Sequence, residues 1–122
     1  MTKIYCFGNP DIKEDNVALE LADELNEGTE LTLKGYEFVK ATNADFFLNE
    51  NYLEKEIVII DVVKGIDQIK IINDIDNLKT TKTTTMHDFD LGNTLKLLKE
   101  LGKIGKVIII GIPYGKELTI MD

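Results

Sequence analysis

Asp15, Asp61 and His87 are the residues of this chain whose types could combine into one reactive site. Two carboxylates supply hard oxygen donors, and the imidazole of the single histidine supplies a borderline nitrogen donor. Such a set binds a divalent transition ion and leaves coordination positions open for substrate and water. No HExxH-like motif accompanies these residues, so the fold would have to bring them together. Each also has an ordinary reading. Asp15 could cap the amides at the start of a helix. Asp61 could turn the chain as it leaves a sheet. His87, flanked by Asp88 and Asp90, could be solvated in a polar loop. The three together say more than any one of them.

Other reactive groups are weaker candidates. Cys6 lies between Tyr5 and Phe7 in an apolar run with no local histidine, which reads as a buried strand thiol rather than a nucleophile. Gly8 opens no GxGxxG fingerprint, and no P-loop is present. Lys103-Ile104-Gly105-Lys106 reads as the turn before a last strand.

The elements that would position the site are legible in the apolar pattern. Ile4–Phe7, Ile57–Ile60 and Val107–Ile110 read as buried strands, a weaker one covers Tyr36–Ala41, and another is expected at Ile69–Ile72. Val17, Ala18, Leu21, Ala22 and Leu25 trace a helical stripe after Asp15, with Gly28 as its stop. Leu91, Leu95, Leu98 and Leu101 trace a second stripe ending at Gly102, and a shorter helix is expected over Asp45–Leu53. The threonine-rich segment Leu78–Met86 reads as a polar loop. This alternation predicts an α/β fold, a three-layer α/β/α sandwich with a mostly parallel sheet, in one domain spanning 1–122. In such sheets ligands gather beyond the carboxyl ends of the strands. Asp15, Asp61 and His87 all follow an expected strand or precede an expected helix, so they are expected near one sheet edge.

Composition narrows the function classes. The 122 residues carry 14 basic and 22 acidic side chains, a formal charge of −8, and every basic residue is lysine. Without arginine there is no bidentate fork for phosphate, and the acidic balance disfavours nucleic acid as a partner. One cysteine excludes an intrachain disulfide and any multi-cysteine zinc knuckle, and suits a reducing compartment. The N-terminus lacks the basic and long apolar regions of a secretion signal, and no apolar run approaches the ~20 residues of a membrane helix. A soluble, cytoplasmic protein with no membrane partner is expected.

Taken in order, Gly8-Asn9 after the first strand, Glu14-Asp15 before the first helix and Asp61 after the central strand resemble the hydrogenase maturation endopeptidases. Met86-His87-Asp88 before a leucine-rich helix, then Val107-Ile108-Ile109-Ile110-Gly111-Ile112-Pro113, continue the resemblance along nearly the whole chain. Members of that family trim the C-terminal extension of the nickel-containing hydrogenase large subunit. The resemblance implies a metal-dependent, aspartic-type endopeptidase (an aspartyl protease in the broad sense) whose partner is the large-subunit precursor. It places Asp15, Asp61 and His87 as nickel ligands and catalytic groups, with the nickel supplied by the substrate and no permanent cofactor. The ion could polarise the scissile carbonyl or lower the pKa of a bound water. Glu14 would at most support its neighbour.

This chain has Asn16 and Ala18 where the family usually has glycines, and it stops at Asp122 where the family continues. Two other readings follow. One is a homologue that binds without proteolysis. The other is a receiver-like signalling domain with Asp61 as phosphoacceptor, although Gly8-Asn9-Pro10 stands where receivers carry an acidic pair.

Overall fold

The apolar runs pair into a five-stranded sheet because β-branched stretches of this length satisfy their backbone groups only by lying side by side. The computed structural model describes residues 2–28, 30–52, 56–73 and 86–115, except for the side chains of residues 86–89. Strands β1 (Thr2–Phe7), β2 (Tyr36–Ala41), β3 (Ile57–Val63), β4 (Lys70–Ile72) and β5 (Val107–Pro113) take the order β2-β1-β3-β5-β4. All pairings are parallel except β4 with β5. The expected mostly parallel sheet is therefore present, with an antiparallel strand at one edge.

Helices α1 (Val17–Leu25), α2 (Glu30–Leu33) and α3 (Met86–Glu100) accompany the sheet. Side chains alternate across the sheet and so divide the core in two. On one face Ala18, Ala22 and Leu25 of α1 pack with Cys6, Phe38, Ile60, Val62 and Ile112. On the other, Leu91, Leu95 and Leu98 of α3 pack with Tyr5, Phe7, Ile59 and Ile109, joined by Phe47 from a 3-10 turn at Ala44–Leu48. These are the three layers of the expected sandwich.

Several boundaries differ from the sequence reading, each for a local reason. β3 and β5 each run on to residues 63 and 113, carrying Asp61 and Gly111 inside strands, because unbroken pairing of Ile57–Val63 with Val107–Pro113 overrides their poor strand propensity. The helix expected over Asp45–Leu53 is only the 3-10 turn, started where the Asn43 side chain accepts from the Phe46 N–H at 3.1 Å. Leu101 does not continue the α3 stripe. Gly102 takes φ +73°, its N–H donates to Lys99 and that of Lys103 to Leu98, which ends the helix and leaves Leu101 60% exposed. β4 begins at Lys70, one residue later than expected, and buries Ile72 while Ile71, and Ile69 just ahead of the strand, are exposed. The four-residue α2 has no apolar periodicity to announce it, and none of its side chains is buried. Met86 opens α3, so only the end of the expected Leu78–Met86 loop is described; residues 78–85 lie outside the described residues.

The outer edge of β2 is occupied by a side chain. The Asn26 amide donates to the Phe38 carbonyl at 2.7 Å and its oxygen accepts from the Phe38 N–H at 3.1 Å, just as a neighbouring strand would. Next to it Lys40 pairs with Asp23 of α1 at 2.9 Å.

Candidate functional site

The chain runs from β1 outward to β2, then returns to the other side of β1 to form β3, so the strand order reverses between β1 and β3. Connections on the two sides of such a reversal diverge and leave a crevice beyond the strands' carboxyl ends.

Asp61 stands at this point. It pairs with Phe7, the last residue of β1, on one side and with Gly111 of β5 on the other. Its strand continues past it, but β1 does not, so Asp61 lies level with the end of the neighbouring strand. Its side chain is fully buried. Alternation puts it on the face of Ile59 and Val63, which is the face covered by α3. Gly111 is closely lined on that rung: a Cβ there would lie 3.2 Å from Ile66 Cδ1 and 3.4 Å from the Lys70 carbonyl. Sequence reasoning did not single out Gly111 as a site residue, although a lone glycine within a run of isoleucines signals a close approach.

Asp15 closes a 3-10 turn, Lys13–Asp15, in the loop that follows β1. It is 7% exposed. The ordinary reading of Asp15 as a helix cap does not match its place: α1 begins at Val17 with Asn16 in the cap position, and the Asp15 carboxylate reaches back to accept from the Asn9 N–H at 3.2 Å. The Gly8 N–H donates to the Ala41 carbonyl at the end of β2, at 3.2 Å, anchoring this loop to the sheet. Asp61, Phe7, Gly8, Asn9 and Asp15 are thus linked in series through register, chain connection and a hydrogen bond.

His87 is the second residue of α3, not a loop residue ahead of it. Asp88 and Asp90 sit in the same N-terminal stretch, where acidic residues favour the positive end of a helix. The helix is about 22 Å long at ~1.5 Å per residue, and β5 about 23 Å at ~3.3 Å per residue. Because the end of α3 leads into the start of β5, a helix of this length is long enough to reach the level of the carboxyl edge. The His87 side chain lies outside the described residues. Among the described residues, no group of three or more His, Cys, Asp or Glu side chains is arranged to hold a metal.

Cys6 is fully buried on the α1 face, opposite to the face of Asp61, and burial pushes its thiol up to about 12. Few thiols with that affinity for a proton ionise near neutrality. Tyr5 and Tyr52 are also raised above the ordinary phenol value, chiefly by burial and further by Glu50. Their role is packing: Tyr5 meets Phe46, Phe47 and Tyr52 edge to face, and the Tyr52 hydroxyl donates to the Phe47 carbonyl at 2.7 Å. This fastens the 3-10 turn Ala44–Leu48 over the α3 face of the sheet.

Residues 32–120 match the family model described as hydrogenase maturation protease (HycI). That span contains Asp61 and His87 and begins after Asp15. No curated protein sequence matches the chain. Among solved structures the chain is similar to the hydrogenase maturating endopeptidase HybD from E. coli, with a TM-score of 0.70 at 15% identity over 97% of this chain and 77% of that one. It is similar to the [NiFe] hydrogenase maturation protease HybD from Thermococcus kodakarensis, with a TM-score of 0.66 at 24% identity over 98% and 88%. The endopeptidase HycI from Escherichia coli gives 0.68 at 23% identity over 98% and 80%. At these identities the likeness is one of fold. No helix among the described residues is long and apolar enough to cross a membrane.

Proposed function

This chain belongs to the hydrogenase maturation protease family, and from that premise we propose that it is an endopeptidase that removes the C-terminal extension of a nickel-containing hydrogenase large-subunit precursor. The observation that carries the reading is the buried Asp61 at the strand reversal, level with the end of β1, the strand from which the loop carrying Asp15 leads on.

In this reading the nickel is part of the substrate and arrives on ligands of the precursor. Asp15, Asp61 and His87 complete its coordination, and their donor chemistry suits a borderline divalent ion. The bound ion supplies Lewis acidity toward the scissile carbonyl or a water. The chain's own contribution is positional. Burial holds the Asp15 and Asp61 carboxylates in a fixed, water-poor setting where each charge acts strongly. Recognition of the ion makes cleavage conditional on a loaded precursor. A thiol mechanism is disfavoured by the position and protonation of Cys6. A phosphoacceptor role for Asp61 has little to support it, because the family model that matches residues 32–120 is that of a protease and Gly8-Asn9-Pro10 follows β1 where receivers carry an acidic pair.

Incubation with nickel-loaded and nickel-free precursor tests the proposal. Loaded precursor should be shortened at its C-terminus, and nickel-free precursor should not. Asp61→Asn and His87→Ala should lose cleavage, and Cys6→Ser should retain it. Binding of loaded precursor with no cleavage under any condition would replace the protease reading with that of a non-proteolytic binding homologue. A folded but inactive Cys6→Ser beside an active His87→Ala would overturn the metal mechanism.

A further inference from the structure

Gly8 has no need of a glycine's backbone freedom. The described glycines with positive φ are Gly28, Gly35, Gly65, Gly102 and Gly115, and Gly8 is not among them. What Gly8 supplies is room. A Cβ there would run into the carbonyl oxygen of Asp15 and would stand 3.3 Å from Leu19 Cγ. The first of these is main chain, which cannot turn aside as a side-chain tip can. The backbone of the 3-10 turn therefore rests directly on the end of β1.

Asn9 adds a second constraint. Its N–H donates to Asp15 Oδ2 at 3.2 Å, while its own side-chain oxygen accepts from the Asp11 N–H at 3.0 Å and its carbonyl accepts from the Ile12 N–H at 3.2 Å. The side-chain bond closes an Asx turn, which fixes the orientation of the loop and with it the aim of the Asn9 amide. Gly8 thus limits where Asp15 can sit, and Asn9 limits how its carboxylate is turned.

We propose that Gly8 and Asn9 are the positioning residues of Asp15, setting its carboxylate at the end of β1. The inference rests on the reading of Asp15 as a group acting at the reaction centre. Displacing such a group by about 1 Å costs on the order of a hundredfold in rate. Gly8→Ala should lower kcat on nickel-loaded precursor by about that factor, with KM changed by less than about twofold, since remote substrate contacts are untouched. Asn9→Ala should lower kcat by roughly tenfold, and Asn9→Ser, which restores an oxygen able to close the turn, should recover most of it.

The test measures kcat and KM for these variants and for Asp15→Asn, with thermal melting of each as the check on folding. It also measures hydrogen exchange at the Asn9 amide in the isolated protein, comparing wild type with Asp15→Ala. Faster Asn9 exchange in Asp15→Ala, together with a kcat-only loss and rescue by Asn9→Ser, supports the inference. Wild-type cleavage by Asp15→Asn would overturn the reading of Asp15 and the inference with it. An inactive Asp15→Asn beside folded Gly8→Ala and Asn9→Ala variants with wild-type kcat would overturn the inference alone. Unchanged Asn9 exchange would do the same. If Gly8→Ala fails to fold, the Asn9 series decides.

Discussion

Asp61 and Cys6 show how much a single step along a strand decides. Cys6 pairs with Ile60, and the next rung pairs Phe7 with Asp61. That one-residue offset sends the thiol under α1 and the carboxylate toward α3. Both residues were legible as candidates in the sequence, Asp61 from its place in the chain and Cys6 from its apolar neighbours. Gly111 was not, because its importance comes from pairing with Asp61 and not from its own neighbours in the chain. For Cys6 we expect no reaction with a soluble disulfide reagent near neutral pH in the folded protein, and rapid reaction after unfolding. Its raised pKa also has a sign for stability. The unfolded thiol releases its proton near pH 9 and the folded one only near 12, so the stabilisation is complete below about pH 9 and declines as pH rises toward 12. Melting temperatures recorded across that range should fall less steeply in Cys6→Ala than in wild type. Equal slopes would show that the thiol is not held in its neutral form.

Elements were legible where apolar periodicity is long and obscure where tertiary contacts set the limits. The isoleucine and valine runs announce β3 and β5, but their ends do not, since Asp61, Gly111 and Pro113 would each be expected to stop an isolated strand. Parallel neighbours on the sheet carry the ladder through them. The start of α3 was misplaced for the opposite reason. In Met86–Asp90 the polar residues His87, Asp88 and Asp90 outnumber the apolar Met86 and Phe89, yet the run is joined to a helix held down by Leu91, Leu95 and Leu98. Its other end was correctly read from Gly102, whose φ of +73° closes the helix with bonds to Lys99 and Leu98. Gly102→Ala would hold that cap in a strained left-handed conformation at a cost of about 1 kcal/mol. Urea unfolding should show a lower midpoint with an unchanged slope. A variant as stable as wild type would mean that the cap contributes nothing to the fold.

For the molecule as a whole, the decisive fact is the order of the strands, which no local pattern in the sequence reveals. The reversal beside β1 sets Asp61 level with the end of the strand from which the loop carrying Asp15 leads on. The fold is held by two apolar layers, one under α1 and one under α3, and neither includes a metal ligand set among the described residues. Adding a chelator to the isolated protein should therefore leave its melting temperature unchanged, and a large drop would reveal a structural ion. The outer rim of β2 has a different consequence. An uncovered strand is a template on which another chain can add itself, and here Asn26 occupies the Phe38 rung that an intruder would need. Removing it with Asn26→Ala should make the protein associate as its concentration rises, seen as growing mass in light scattering while wild type stays constant. An asparagine at a helix end thus fills the rung at which a second copy of the chain would otherwise add a strand.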